Sequence, residues 1–292
     1  MSCSQASSLR VQMAAYFSRA NTRVLRPKQL TSLLQENRRT WPLPAQLSDR
    51  GVIGAILQST DLKEVTLHAE NDYRDVRRYV WGRVSEYELA LSLRPESYLS
   101  HATAMFLHGL TDRRPKTIYV NQEQSAKPRR EAVLTQEAIT RAFAATQRQS
   151  KYSFRHNDTR IVVVSGKNSK RFEVALLSTQ EGEDLPATGL ERTLIDITVR
   201  PTYAGGVRNV MRAFELAKGR LSGPKLLKTL LRLDHTYPYH QPLGFYLERA
   251  GYPAREVSPL RSKGFSFDFY ASHGLKDPAY DRRWRLYYPR EV

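Results

Sequence analysis

The chain reads as an α/β (α+β) protein: an N-terminal winged helix-turn-helix domain over residues 1–90, then a larger mixed α/β domain over residues 91–292. Three observations predict this. Apolar residues recur at helical spacing three times within the first sixty or so positions. Two strand-sized runs with alternating character follow at 64–69 and 76–81. From there to the C-terminus, helical stripes interleave with β-branched runs. With 292 residues, 40% of them hydrophobic, the chain can supply a core for each domain.

In the first domain, Met13, Tyr16, Phe17 and Ala20 fall at i, i+3, i+4 and i+7 and place four apolar groups on one helical face. Pro27 suits the first turn of a second helix, which carries Leu30, Leu33 and Leu34 and fades near Asn37. After the Trp41-Pro42-Leu43-Pro44 break, Ser48 is placed to cap a third helix with Ile53, Ile56 and Leu57 as its stripe. The alternation of Val65 and Leu67, then of Tyr79 and Trp81 against Arg78 and Val80, gives the hairpin of a wing.

In such a module the third helix enters the major groove while the second helix and the wing hold the backbone. At about 100° per residue, Ser48, Gly51, Ala55 and Gln58 project opposite the buried stripe, with Arg50 at its border. The face is small, so base contacts would come from Ser48, Arg50 and Gln58, and most affinity from phosphates. The phosphate candidates are Arg23, Arg26 and Lys28 near the start of the second helix, and Arg74, Arg77 and Arg78 on the wing. Glu70, Asp72 and Asp75 in or beside the wing loop would repel a phosphate.

Charge points to a polyanion or an acidic partner, because the chain carries +17 overall. Residues 1–90 hold thirteen Lys/Arg against nine Asp/Glu, so they contribute +4 and the remainder +13. DNA binding by the first domain alone would concentrate the excess there, so the second domain also favours a negatively charged partner. Cys3 is the only cysteine, which excludes an internal disulfide and a cysteine-based metal cage. No apolar run approaches a membrane span and residues 1–8 lack a signal-type core, so a cytoplasmic location with no membrane contact is expected.

The second domain opens with Pro95 to Thr111, a tract in which Tyr98 precedes a small-residue helix through Ala102, Ala104, Met105 and Leu107, with Gly109 where a left-handed cap is wanted. Residues 117–120 should then enter a sheet. A helix over 134–145 uses Leu134, Ala138, Ile139 and Phe143. Strands at 160–165 and 172–177 are expected to form a hairpin about the polar turn 166–171. Thr188-Gly189-Leu190-Glu191 has the T-x-x-E form of a capping box, and Arg192 and Asp196 on the helix it opens are spaced for an ion pair. Further helices use Val207, Val210, Met211 and Phe214, then Leu226, Leu227, Leu230 and Leu231, then residues 243–250. The tail at 265–270 and 284–288 alternates like edge strands, and Arg282, Arg283, Trp284 and Arg285 make a basic, aromatic cluster suited either to a partner or to nucleic acid.

The tract Tyr98 to Gly109-Leu110, followed by Pro115-Lys116-Thr117-Ile118-Tyr119-Val120, resembles the central signature of the AbiEi family of antitoxins. Glu191-Arg192-Thr193-Leu194-Ile195-Asp196, Gly205-Gly206 and Leu243-Gly244-Phe245-Tyr246-Leu247-Glu248 are similar to segments of its C-terminal half. Thr103 stands where serine is more usual, and the third helix has no evident base-reading signature. The resemblance implies an antitoxin that neutralises a nucleotidyltransferase-like toxin and represses its own promoter. The alternative is a winged-helix regulator whose second domain senses a ligand or a protein, with no toxin.

Catalysis is not expected. A magnesium nuclease needs an acidic-x-lysine pair, but Glu173 is followed by Val174-Ala175 and Asp268 by Phe269-Tyr270. His101 and His108 lack a third ligand spaced for zinc, and His235 and His240 lie in a Tyr/Pro-rich loop. No cofactor, metal site or nucleophile elbow is predicted. The oligomeric state, a monomer in solution included, stays open.

Overall fold

Leu9, Met13 and Phe17, successive turns of one face, are the buried edge of the first helix, α1 (Cys3–Phe17). The computed structural model describes residues 3–20, 22–44, 46–126 and 133–292. After α1 come β1 (Val24–Leu25), α2 (Pro27–Glu36), α3 (Asp49–Ser59), β2 (Leu62–Glu70), β3 (Val76–Trp81), α4 (Glu86–Leu91), β4 (Tyr98–Leu99), α5 (His101–Leu107), β5 (Thr117–Glu123) and α6 (Gln136–Ala144). Then follow β6 (Ser153–His156), β7 (Thr159–Gly166), β8 (Val174–Ser178), β9 (Asp184–Thr188), α7 (Leu190–Val199), a 3-10 turn at Pro201–Ala204, α8 (Val207–Leu216), α9 (Gly223–Leu233), α10 (His240–Arg249), α11 (Ala254–Arg261), β10 (Phe269–Tyr270), β11 (Ala279–Asp281) and β12 (Leu286–Tyr288). The chain divides into two units: Met1–Pro95 with Tyr152–Ile161, and Glu96–Lys151 with Val162–Val292. The first therefore ends a little beyond residue 90 and takes back a hairpin from later in the chain.

The first unit is a winged helix. β3 lies between β1 and β2, antiparallel to both, and three helices pack against this sheet. Pro27 starts α2, and Arg26 N–H donates to Gln29 Oε1 at 2.9 Å to close its first turn. Leu30, Leu33, Val52 and Ile56 meet Leu62 and Tyr79, and Phe17 stacks on Trp81 with ring centroids 5.0 Å apart. Two stripes are rotated from their expected faces. α1 buries Leu9 and leaves Tyr16 39% exposed, while α3 buries Val52 and Ile56, with Ile53 and Leu57 at the flank. β2 is longer than expected because it changes partner: Leu62 to Leu67 pair with β3, whereas His68, Ala69 and Glu70 pair with Arg155, Phe154 and Ser153 of β6.

The second unit is built on a mixed sheet in the order β7, β5, β4, β9, β8, where β4 runs antiparallel to β5 and parallel to β9. α5 ends as expected: Gly109 has φ +65° and Leu110 N–H returns to Met105 O at 2.8 Å. The expected hairpin at 166–171 does not form. β7 and β8 lie at opposite ends of this unit's strand order, so the polar segment is a crossover rather than a return. Glu123, at the end of β5, organises it: its carboxylate accepts from the backbone N–H of Ser169 and Arg171 and from Ser169 Oγ. β8 makes its hairpin with β9 instead.

The helical core joins Leu194, Ile195, Val210, Phe214, Leu226, Leu243 and Tyr246. The T-x-x-E reading at α7 is corrected: Gly189 is the N-cap with no side-chain cap, and Thr188 Oγ1 sits 2.7 Å from Thr193 Oγ1. Glu191 is buried and accepts from Lys225 Nζ at 2.9 Å. Trp284, expected on a partner surface, is fully buried, because its ring lies against Gly244 and its Nε1 donates to Glu248 Oε2 at 2.7 Å. A Cβ at position 244 would fall 2.1 Å from that ring, so only glycine permits the contact.

Candidate nucleic-acid interface

α3 is set by Ser48, whose Oγ accepts from Gly51 N–H at 3.3 Å, leaving the hydroxyl hydrogen to donate outward. Leu47, Ser48, Asp49, Arg50, Gly54 and Gln58 are exposed, and Gly51 and Ala55 are half-buried. The acid among them is balanced within the unit: Asp49 accepts from Arg38 at 3.2 Å and from Gln35 at 3.4 Å. The two glycines differ in cause. A Cβ at Gly51 would meet Leu47 Cβ at 3.2 Å, so local packing accounts for it, but a Cβ at Gly54 would meet nothing within 4 Å. An exposed glycine inside a helix costs about 1 kcal/mol relative to alanine. No close approach at this position requires the glycine, and its geometric consequence is a flat, open helix surface between Arg50 and Gln58.

Of the phosphate candidates, Arg23, Lys28 and Arg74 are exposed as expected. Arg77 is exposed too, with Glu64 Oε1 3.4 Å from its Nε. Arg26 is half-buried, its Nε donating to Ser92 O at 3.3 Å. Arg78 is corrected. It is 5% exposed and its guanidinium donates to Ser92 Oγ and Ser92 O at 2.9 Å each and to Arg77 O at 2.8 Å, so it holds the C-terminal end of α4 rather than facing a ligand. Burial, with Arg26 and Arg94 nearby, pushes it down to about 10, and it stays charged at neutral pH. Arg78→Ala is expected to lower stability by about 1–3 kcal/mol by leaving those acceptors unmet; urea unfolding of the full chain checks it.

The wing acids are less repulsive than the sequence suggested. Glu70 accepts from Arg160 Nε at 2.6 Å and from Arg155 Nη2 at 3.0 Å, and the Arg160 hydrogen bond holds its carboxyl below the ordinary range. Asp75 accepts from Ala69 N–H at 2.8 Å and lies 2.9 Å from His68 Nδ1, which also lowers it. Arg155 and Arg160 are residues that sequence reasoning missed. They lie far along the chain, and the only signal for them was the β-branched run after Arg160.

In the second unit, Arg282 and Arg283 of the tail cluster are exposed, the latter 2.9 Å from Glu248. Arg285 is half-buried and donates to Asp268 Oδ1 at 2.9 Å and Phe265 O at 3.3 Å, and the Asp268 hydrogen bond raises its pKa.

A polar network also lies beside α7. Arg192 donates to Asp196 at 2.8 Å, Phe172 O at 3.0 Å, Ser169 Oγ at 3.2 Å and Tyr98 Oη at 3.4 Å. Tyr98 in turn donates to Glu123 at 3.0 Å and accepts from Asn121 at 2.6 Å. The expected Arg192–Asp196 pair therefore exists, but it is buried. A cavity of about 430 Å3 adjoins it, lined by Arg192, Asp196, Arg200, Lys167, His101 and His235 among others. Among the described residues, no three His, Cys, Asp or Glu side chains gather as metal ligands would, and no helix is long and apolar enough to cross a membrane.

No family model matches the chain, and no curated protein matches it. Among solved structures it is similar to the crystal structure of the RV2827C protein from Mycobacterium tuberculosis, at a TM-score of 0.58 and 16% sequence identity, over 98% of this chain and 91% of that one. At that identity the likeness shows a shared mixed α/β fold.

Proposed function

We propose that the chain is an AbiEi-like antitoxin that represses its own promoter, with the winged-helix unit on DNA and the second unit meeting a nucleotidyltransferase-like toxin. The observation that carries the DNA half is Gly54, an exposed mid-helix glycine with open space around it on the helix that winged-helix modules insert in the major groove. Its absent side chain favours close approach to base edges, with Arg50, Ser48 and Gln58 as the polar groups beside it. Arg23, Lys28, Arg74 and Arg77 supply sequence-independent phosphate contacts. The toxin half rests on the His-Gly-Leu to Ile-Tyr-Val tract, the Glu-Arg-Thr-Leu-Ile-Asp helix and the basic excess of residues 91–292, with Arg282 and Arg283 directed outward.

The cavity beside Arg192 and Arg200 favours a second reading, a winged-helix regulator whose larger unit binds a small ligand, because its volume falls in the usual range for such sites. Co-purification with the product of the neighbouring gene separates the two.

Mobility shift on the chain's own promoter fragment, repeated across salt concentrations, tests the DNA reading; affinity is expected to fall linearly on logarithmic axes. Gly54→Ala should raise thermal stability by up to about 1 kcal/mol. Gly54→Leu should fold yet bind at least tenfold more weakly. Full affinity in the leucine variant, or no preference over random DNA, overturns the assignment of α3.

A further inference from the structure

Among the described residues, β8 is the outer strand of the second unit's sheet, hydrogen-bonded on one side only, to β9. Edge strands are ordinarily protected by charge, proline or a bulge. β8 reads Val174-Ala175-Leu176-Leu177-Ser178, has none of these, and leaves Leu176 67% exposed at its centre.

Its ladder fixes which groups are unused. Gly189 N–H donates to Glu173 O at 2.7 Å and Thr179 N–H to Glu183 O at 2.8 Å, so 173, 175, 177 and 179 face β9. The intervening residues 174, 176 and 178 direct their backbone groups to the open edge. Pro186, which lacks an N–H, stands opposite Leu176 in one of the pairs that exchanges none. Val174 N–H is already given to Arg171 O at 3.1 Å. The groups left are both of Leu176, both of Ser178 and the carbonyl of Val174.

We infer that β8 pairs antiparallel with β8 of a second copy of this chain, about a two-fold axis at Leu176. That register uses all but one of the remaining groups: Leu176 exchanges N–H and C=O with Leu176 of the second copy, and Ser178 N–H reaches the Val174 carbonyl opposite, while the Ser178 carbonyl, facing the Val174 N–H already given to Arg171, is left to water. Charge selects the same occupant and direction. Lys170 and Arg171 precede the strand, with Glu173 between them and the strand neutralised by Lys225 Nζ 3.7 Å away, and Glu181, Glu183 and Asp184 follow it. Antiparallel self-pairing sets the basic end of each copy beside the acidic end of the other, whereas parallel pairing sets like against like. Among the described residues, Glu181 has exposed Arg114, 3.6 Å away, as its ion-pair partner. The inference rests on this edge alone and is independent of the DNA and toxin readings.

Such a short edge buries far less than the roughly 1,600 Å2 of a standard interface, and the +17 charge opposes self-association. Covalent trapping suits so weak a contact. In the full chain with Cys3→Ser, which removes the only native thiol, Leu176→Cys and Ala175→Cys are oxidised with copper–phenanthroline at increasing protein concentration. Across a hydrogen-bonded antiparallel pair the two Cα atoms at 176 lie about 5.5 Å apart, within disulfide reach. The two at 175 are offset to about 8 Å, beyond the roughly 7 Å limit.

A disulfide-linked dimer is expected from Leu176→Cys at least fivefold in excess of that from Ala175→Cys. Adding Ser178→Pro, which removes the N–H that reaches Val174, should suppress it. Equal cross-linking at the two positions, cross-linking only at 175, none at either, or full cross-linking despite Ser178→Pro overturns the inference.

Discussion

Arg192→Ala is expected to cost about 3–5 kcal/mol of folding stability, the range for removing one partner of a buried pair. Arg192 and Asp196 are 6% and 9% exposed, so the carboxylate would be left in a low-dielectric site without its hydrogen-bonded counter-charge. The guanidinium also gives hydrogen bonds to Ser169 and Phe172 in the crossover and to Tyr98 on β4, so the truncation orphans acceptors on separate elements. Burial by itself would pull its pKa down, but Asp196 and Tyr98 outweigh that and move it up. Urea unfolding of the full chain measures the loss. The double substitution Arg192→Met with Asp196→Leu should recover most of it, since it removes both charges and keeps the volume. A cost below about 1 kcal/mol for Arg192→Ala would show that water reaches the pair.

Acid should destabilise the protein well above the pH at which carboxylates titrate. Burial holds His101 down to about 3, helped by Arg200 and Arg192. Burial likewise holds His235 down to about 4, with Asp196 opposing and Arg192 adding to it. In the unfolded chain both titrate near the ordinary value of about 6.5. Between about 6.5 and 4 the unfolded state therefore binds more protons than the folded state, and stability falls as pH falls. The slope is about 1.4 kcal/mol per pH unit for each histidine. It ends at about 4 for His235 and continues to about 3 for His101. His101→Gln should flatten the profile in this window when midpoints of urea unfolding are plotted from pH 7 to pH 4. An unchanged slope would place the acid sensitivity elsewhere.

Both effects arise from burial under elements distant in sequence, even where a partner such as Asp196 lies only four residues away, and this marks how far the sequence could be read. The winged helix was legible because its helices and wing strands carry local periodicity, although the buried face of α3 was displaced from Ile53 and Leu57 to Val52. Periodicity locates a helix more securely than its rotation, since neighbouring apolar residues serve either face. Arg78 was misjudged for a related reason. A strand covered on both sides buries consecutive residues, and 78 to 81 are all buried, so alternation did not mark the outer face.

Turn composition announced a break at 166–171, yet a polar loop looks the same whether the chain returns or crosses a sheet. The seating of Ser169 and Arg171 on Glu123 made it a crossover. Trp284 was misplaced because its charged neighbours dominated the local pattern, while its true partner, Gly244, lies on another helix.

The amino-acid order alone determined the class of fold, the winged-helix arrangement, most helix spans, the left-handed cap at Gly109 and the basic excess, since all of these depend on neighbours within a few positions or on composition. Tertiary structure alone decided which arginines face outward, that Glu70 is balanced by Arg155 and Arg160, and that Arg192 and Asp196 are buried. It also decided that β8 has an open edge. Burial and ion pairing join residues that chain connectivity leaves far apart, and their energies depend on the local dielectric, which exists only once the units have folded.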